Sequence, residues 1–284
     1  MNAVKVLSPG LFSTVQDGGR KGFRKFGVPL SGVMDGYSAD LANMVLNNTE
    51  GTPLLEITQQ GPTLQFTCST AISIVGADIS AKLNDQSVNR NKVIEVKKGD
   101  QLSFGKLISG SRCYVAVKGG VETEKVLGSY SYYPGISDNN ILKSGMVLKI
   151  QEYTNSVGLN ATIKIDATHF SSSLINVQKG PEYEWLSNQH QALLFVNDFV
   201  VDPKNNRMGY QLNGNPIEKG KEFNMLTAVT IPGTVQLTSA GKLIVLMRDC
   251  QTTGGYPRVL QLTENGINRL AQKKTNDSIK FQLT

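Results

Sequence analysis

The chain has 284 residues, 39% of them hydrophobic, and carries 29 Lys and Arg against 23 Asp and Glu for a net charge of +6. That is enough for one large all-β unit or two ordinary domains with a core that needs no covalent staples. The basic residues are scattered without interleaved aromatics, which argues against nucleic acid and for a small phosphate- or carboxylate-bearing metabolite.

No apolar run approaches the roughly 20 residues that cross a bilayer, and the N-terminus has no basic segment followed by an apolar one. Cys68, Cys113 and Cys250 are odd in number and far apart. They form neither a disulfide framework nor a paired metal-ligand motif, so a soluble protein of the reducing cytoplasm is expected.

In chain order, the first dense stretch is "LFSTVQDGGRKGFRKFGVPLSGVMDGYSADLANMVLNN". Its glycines, Gly32 among them, let the backbone approach a ligand or another segment closely. Asp17, Arg20, Ser31 and Asp35 sit among them and could bind a carboxylate or phosphate. The alternatives are an internal Asp17–Arg20 bridge that pins the loop, and capping of the following helix by Ser31 or Asp35. Leu41, Met44 and Val45, with Asp35 or Ser38 as N-cap and Asn47 and Asn48 as a stop, predict that helix.

Strands are predicted from short β-branched runs bounded by Gly, Asn or Asp: "AISIVGAD", "NKVIEVKKGDQLSF", "RCYVAVKGG", "GMVLKI", "ALLFVNDFVV", "KLIVLMRD" and "DSIKFQL". The expected fold is therefore mainly β, a barrel or sandwich, with a few short helices. "ITQQGPTLQF" and "INVQKGPEYEWL" echo one another, which suggests two related β lobes. The polar "QEYTNSVGLNATIK" is the expected linker between lobes 1–158 and 159–284. "ENGINRLAQ", with Ile267, Leu270 and Ala271 on one face, predicts a second helix.

The generic phosphate-loop, dinucleotide and zinc motifs are absent from the sequence. His169 and His190 stand alone and read as surface or locally bonded side chains, and no metal site is expected. Arg207, in "NNRMGYQLNG", either projects over a site or is a solvated rim arginine. "RDCQTTGGYPRVLQ" reads as a hairpin turn that walls a pocket, with the Gly254 and Gly255 N–H groups and Thr252 and Thr253 as anion donors. Cys250 has no base or positive field nearby in sequence and reads as a core thiol.

The blocks "TVQDGGRKGFRKFGVPLSGVMDGYSADLAN", "LEITQQGPTLQF", "GSRCYVAVKGG", "LGS", "RMGYQL" and "QTTGGYP" occur here in the order of a known family. They resemble the C-terminal half of biotin-dependent carboxyltransferases, also called allophanate hydrolase subunit 2. The resemblance spans nearly the whole chain and takes in the C subunit of 5-oxoprolinase and the kinase-inhibitor antagonist KipA. It implies a cyclophilin-like β-barrel working beside a sister chain of related fold.

The activity so implied is ATP-dependent opening of 5-oxo-L-proline to L-glutamate, with A and KipI-like B subunits as partners and ATP, with Mg²⁺, as cofactor. The same family includes KipA-like proteins that bind an inhibitor of a sensor kinase. It also includes carboxyl transfer from carboxybiotin to urea, although no biotinyl-lysine segment is seen in this chain.

On the oxoprolinase reading, the Gly-rich segments motivate the expectation that Arg20 and Arg207 supply charge while Asp17 or Asp249 orients an arginine or a metal-bound water. Ser31, Gly32, Asp35, Gln251, Thr252, Thr253, Gly254, Gly255 and Tyr256 would line the substrate or anion site. Three positions depart from the family pattern. Tyr130 stands where the family has arginine in L-G-S-R-S-T, and Asn206 and Glu122 stand where aspartate is common. If the lost arginine binds a substrate anion elsewhere in the family, then either Arg112 or Arg258 replaces it here or the substrate has changed.

Overall fold

The computed structural model describes residues 2–153, 161–217 and 225–284. Residues 154–160 of the expected linker, and the boundary expected at 158/159, lie outside the described residues. The chain divides into two compact units. One comprises Met1–Arg20 and Ser31–Phe170, the other Lys21–Leu30 and Ser171–Thr284. The helices are α1 (Gly36–Val45), α2 (Thr168–Ser171), α3 (Asn188–Val196) and α4 (Glu264–Ala271). No helix among the described residues is long and apolar enough to cross a membrane.

The first unit contains two sheets. The five-stranded one runs Phe12–Gln16, Leu54–Thr58, Ser109–Val117, Thr70–Asp78, Val93–Val96. The seven-stranded one has Val147–Ile150, Ala3–Ser8, Thr63–Phe66 and Gln101–Ser103 at its centre. Alternation along the strands assigns the faces. Leu55, Ile57, Ile72, Ile74, Cys113 and Val115 join Val4, Val6, Leu64, Phe66 and Leu148 in one core. On the other face of the five-stranded sheet, Leu54, Ala71, Val75, Tyr114 and Ala116 pack under α1 through Ala39, Ala42 and Leu46. With both faces covered, the strand holding "AISIVGAD" is buried from Thr70 to Ala77 instead of alternating.

Asp35 is the N-cap of α1, its carboxylate accepting from the Ser38 N–H at 3.2 Å. Of the three apolar residues that predict the helix, Val45 is buried and Leu41 packs against the core beside the buried Ala39 and Ala42, but Met44 is 63% exposed. Small side chains let the helix lie close to the sheet, close enough for Ser73 Oγ to donate to the Ala42 carbonyl at 2.6 Å.

The second unit is a closed seven-stranded barrel ordered Leu174–Lys179, Arg258–Leu262, Thr234–Leu237, Leu243–Leu246, Gly209–Asn213, Phe199–Val201, Ser278–Leu283. Closure is made by the parallel pairing of the first and last of these. Two expectations change here. The first half of "ALLFVNDFVV" is helix α3, because Ser187 caps it through the His190 N–H and the strand begins only at Phe199. The hairpin expected at 248–261 is not formed either. Leu243–Leu246 and Arg258–Leu262 both pair with Thr234–Leu237, which lies between them. The intervening Thr253–Gly254 pairs instead with Ala228–Val229. The second expected helix is α4, with Thr263 as cap and Ile267, Leu270 and Ala271 buried.

Candidate functional sites

In the first unit, Asp17 and Arg20 do not pair directly as the bridge reading expected; they meet through Ser131. Asp17 Oδ1 accepts from Ser129 Oγ and Ser131 Oγ, each at 2.6 Å, and from the Gly19 N–H at 2.9 Å. Its Oδ2 accepts from the Tyr130 N–H at 2.7 Å. Arg20 is wholly buried, with Nε on the Val126 carbonyl and Nη2 on the Ser131 carbonyl and Ser137 Oγ. Both side chains are thus spent on holding the 126–137 segment, and direct contact with a ligand is closed to Arg20. That segment includes Tyr130, and the Lys125 ammonium lies 5.4 Å from its ring centroid, so a cation still stands beside this position.

Gly32 completes the same loop with φ +88°, and a Cβ there would lie 3.1 Å from the Asp17 carbonyl oxygen and Gly19 Cα. Ser31 is buried at φ 56°, and its hydroxyl meets no hydrogen-bond partner among the described residues.

Beneath α1 lies a buried polar network that the sequence reading largely missed. Glu56 Oε2 accepts from the Met34 N–H at 2.7 Å and from the Tyr114 hydroxyl at 2.9 Å, while Oε1 is 4.0 Å from Arg112 Nε. The Tyr114 oxygen in turn accepts from the Asp35 N–H at 2.8 Å. Burial, then the neighbouring Glu56 and Asp35 charges, push the Tyr114 phenol well above its ordinary range, so it stays a neutral donor.

His169, expected at the surface or locally bonded, is instead buried with Nε2 2.8 Å from Asp35 Oδ2, across 134 residues. Tyr37 and Phe170 pack on its ring. Glu56 left a readable signal, an acid in the middle of the apolar "LLEIT" strand, where a buried charge requires a partner. His169 left none.

In the second unit, the outer face of the barrel carries a cleft of about 290 Å³. Register builds its floor. Gln211 pairs with Ile244 and Ile244 with Gln236, so the three form one row across adjacent strands. Their in-facing neighbours Tyr210, Leu212, Val235, Val245 and Leu237 are buried. The walls include Lys204, Asn206 and Met208 on one stretch and Gln251, Gly254, Gly255 and Tyr256 on another.

Thr252 and Thr253 are not among the lining residues. Their backbone serves the pairing with 228–230, where the Thr230 N–H donates to the Thr252 carbonyl. Gly254 is required by close approach, since a Cβ there would lie 2.6 Å from Gln236 Nε2. Gly254→Ala should therefore displace the Gln236 amide and weaken small-ligand binding several-fold while lowering stability by only about 1 kcal/mol. Titration calorimetry and thermal melts of the variant separate the two effects.

Arg207 is neither a rim arginine nor a cleft residue. It is 7% exposed, and its guanidinium forks onto Asp249 with Nε–Oδ2 at 2.7 Å and Nη2–Oδ1 at 3.0 Å. The pair joins the two cleft walls, helped by the Asp249 N–H on the Arg207 carbonyl and the Met247 N–H on that of Met208. Arg112 faces Glu56, and Arg258 forks onto Glu182 at 2.7 and 2.9 Å. Each candidate for the lost arginine is therefore already opposite a carboxylate.

Cys250 does have a positive neighbour, Arg24, which hydrogen-bonds the thiol. Burial nevertheless dominates and pushes the thiol up to about 11, so it remains protonated and inert. Among the described residues no group of three or more His, Cys, Asp or Glu is placed to hold a metal ion.

Comparisons with known proteins recover the same mainly β fold. Residues 26–283 match the family described as carboxyltransferase domain, subdomain A and B, and the chain belongs to that family. The C subunit of 5-oxoprolinase from Escherichia coli K12 is 32% identical over 286 residues, covering 98% of this chain and 90% of that protein. Urea amidolyase of Lachancea kluyveri is 41% identical over 306 residues, covering 98% of this chain but 17% of that protein. The crystal structure of the K. lactis urea amidolyase matches with a TM-score of 0.87 at 30% identity, over 98% of this chain and 18% of that one. The chain is thus homologous both to a separate subunit of one enzyme and to a small part of another.

Proposed function

We propose that this chain is the C subunit of a cytoplasmic, ATP-dependent 5-oxoprolinase, converting 5-oxo-L-proline to L-glutamate together with A and KipI-like B subunits. The observation that carries the reading is the end-to-end correspondence with the E. coli protein, 98% of this chain against 90% of that one. Three free, buried cysteines are compatible with a reducing compartment.

Opening the lactam calls for phosphoryl transfer. ATP with Mg²⁺ would supply a phosphoryl group to the lactam oxygen, which would open the ring carbon to water. The contribution of this chain is binding and orientation. Lys204, Asn206, Gln211 and Gln236 on the cleft floor and wall present the lactam acid, while the Arg207–Asp249 pair holds the walls.

Glutamate release from 5-oxo-L-proline and ATP, measured with the A and B subunits, should require this chain and be indifferent to bicarbonate and biotin. Full release without it would overturn the reading. A second reading, carboxyl transfer to a urea-like amide, is favoured by the 41% identity with the L. kluyveri urea amidolyase. It predicts turnover that depends on carboxybiotin. Tight binding to the KipI-like partner with no effect on turnover would instead indicate a regulatory, KipA-like role.

A further inference from the structure

Among the described residues, Lys204 is the only charged one lining the barrel cleft, and no carboxylate lines it. The Lys204 main chain is fixed by its N–H on Asp202 Oδ1 at 2.9 Å, and Asp202 Oδ2 is occupied by Asn213 Nδ2 at 2.8 Å. Asn206 spends its carbonyl oxygen on the Met208 and Gly209 N–H groups, at 2.8 and 3.3 Å, which leaves its NH₂ as a donor. Gln236 is 2% exposed and directs its NH₂ at the Tyr256 carbonyl, 3.5 Å away, which leaves its own carbonyl oxygen as an acceptor. Gln211 lies two strands from Gln236 in the same row, with Ile244 between them and Leu246 beside it. One cation, one acceptor, several amide donors and an apolar strip make a specific set.

We propose that this cleft binds a small monoanion bearing a secondary amide. Its carboxylate is taken by Lys204, its amide N–H by the Gln236 carbonyl, its amide oxygen by Gln211 or Asn206, and its methylene edge by Ile244 and Leu246. A triphosphate does not fit this donor set, because a single ammonium cannot neutralise the several charges of a nucleotide. ATP is accordingly bound on another surface or by a partner chain. The identity of the ligand as 5-oxo-L-proline rests on the oxoprolinase reading; its chemical class does not.

The test is calorimetry on the full chain with 5-oxo-L-proline, with 2-pyrrolidinone, which lacks the carboxylate, and with ATP, followed by the 5-oxo-L-proline KM of the reconstituted complex. Lys204→Ala should weaken 5-oxo-L-proline binding, or raise KM where binding needs the complex, by roughly tenfold or more. Lys204→Arg should restore part of the loss, and 2-pyrrolidinone should not distinguish the variants. Lys204 is exposed, so a thermal melt within a degree or two of the parent is expected.

Equal 5-oxo-L-proline affinity and KM in parent and Lys204→Ala would overturn the cleft proposal, as would ATP competing with 5-oxo-L-proline. Either result leaves the oxoprolinase reading standing if glutamate is still released. Conversely, Lys204-dependent binding of the lactam acid in a complex that releases no glutamate would uphold the cleft and sink the reaction.

Discussion

Glu56→Leu is expected to destabilise the first unit by about 3–5 kcal/mol, a large share of the 5–15 kcal/mol typical of a domain. The carboxylate lies 1% exposed between the Met34 N–H, the Tyr114 hydroxyl and Arg112, which is itself 3% exposed. Leucine fills the volume but takes the shared acceptor from the Met34 N–H and the Tyr114 hydroxyl and removes the carboxylate that lies 4.0 Å from Arg112 Nε. Loss of a buried charge beside Arg112 outweighs loss of one neutral hydrogen bond, which costs only about 1 kcal/mol. Glu56→Gln, which keeps an acceptor but not the charge, should fall between. Native-state amide exchange at Met34 and Asp35 reports the unit directly, and a loss below 1 kcal/mol in Glu56→Leu would show that the network is not what holds α1 to the sheet.

Asp249→Ala should cost the barrel a similar ~3–5 kcal/mol, because it removes the carboxylate onto which the buried Arg207 guanidinium forks. Its informative partner is the double variant Arg207→Met with Asp249→Leu. Removing both charges together is expected to recover most of the stability, whereas ligand affinity should recover only in part, because the fork also fixes the spacing of the cleft walls. Urea unfolding of the parent, both single variants and the double variant gives the coupling energy. A double variant as unstable as Asp249→Ala alone would mean that packing, not charge compensation, sets the cost.

Much of the fold was legible because burial on two faces writes itself into the sequence. The largely apolar runs at 71–77 and 113–117 belong to central strands covered by a core on one side and α1 on the other. Capping was legible at α1, where Asp35 was one of two candidates. "ALLFVNDFVV" misled because a short apolar run has no period long enough to separate helix from strand, and the deciding residue, Ser187, lies outside it.

At α1, Ala39 and Ala42 left little signal because alanine carries little hydrophobic weight, yet they permit the close packing that larger residues would forbid, while Met44 turns outward. At the sites, the loop residues were found but their partners were not. Gly32 beside Asp17 and Gly254 mark close approach, while Ser131 is brought in by a loop from 114 residues away, His169 by helix α2 from 134, and Gln236 by a barrel strand from 20.

The segment Lys21–Leu30 belongs to the barrel unit although the chain on both sides of it belongs to the other. Arg24 donates to the Thr230 carbonyl and to the Cys250 thiol. The polypeptide therefore passes between the two units three times, at 20/21, 30/31 and 170/171. A single cleavage at the last of these does not yield two independent domains: the C-terminal fragment would lack ten residues of its own unit, and the N-terminal fragment would carry them as an internal loop parted from the barrel. During synthesis the order is inverted as well, because the barrel receives its first piece long before its strands emerge and can close only once Ser278–Leu283 has emerged.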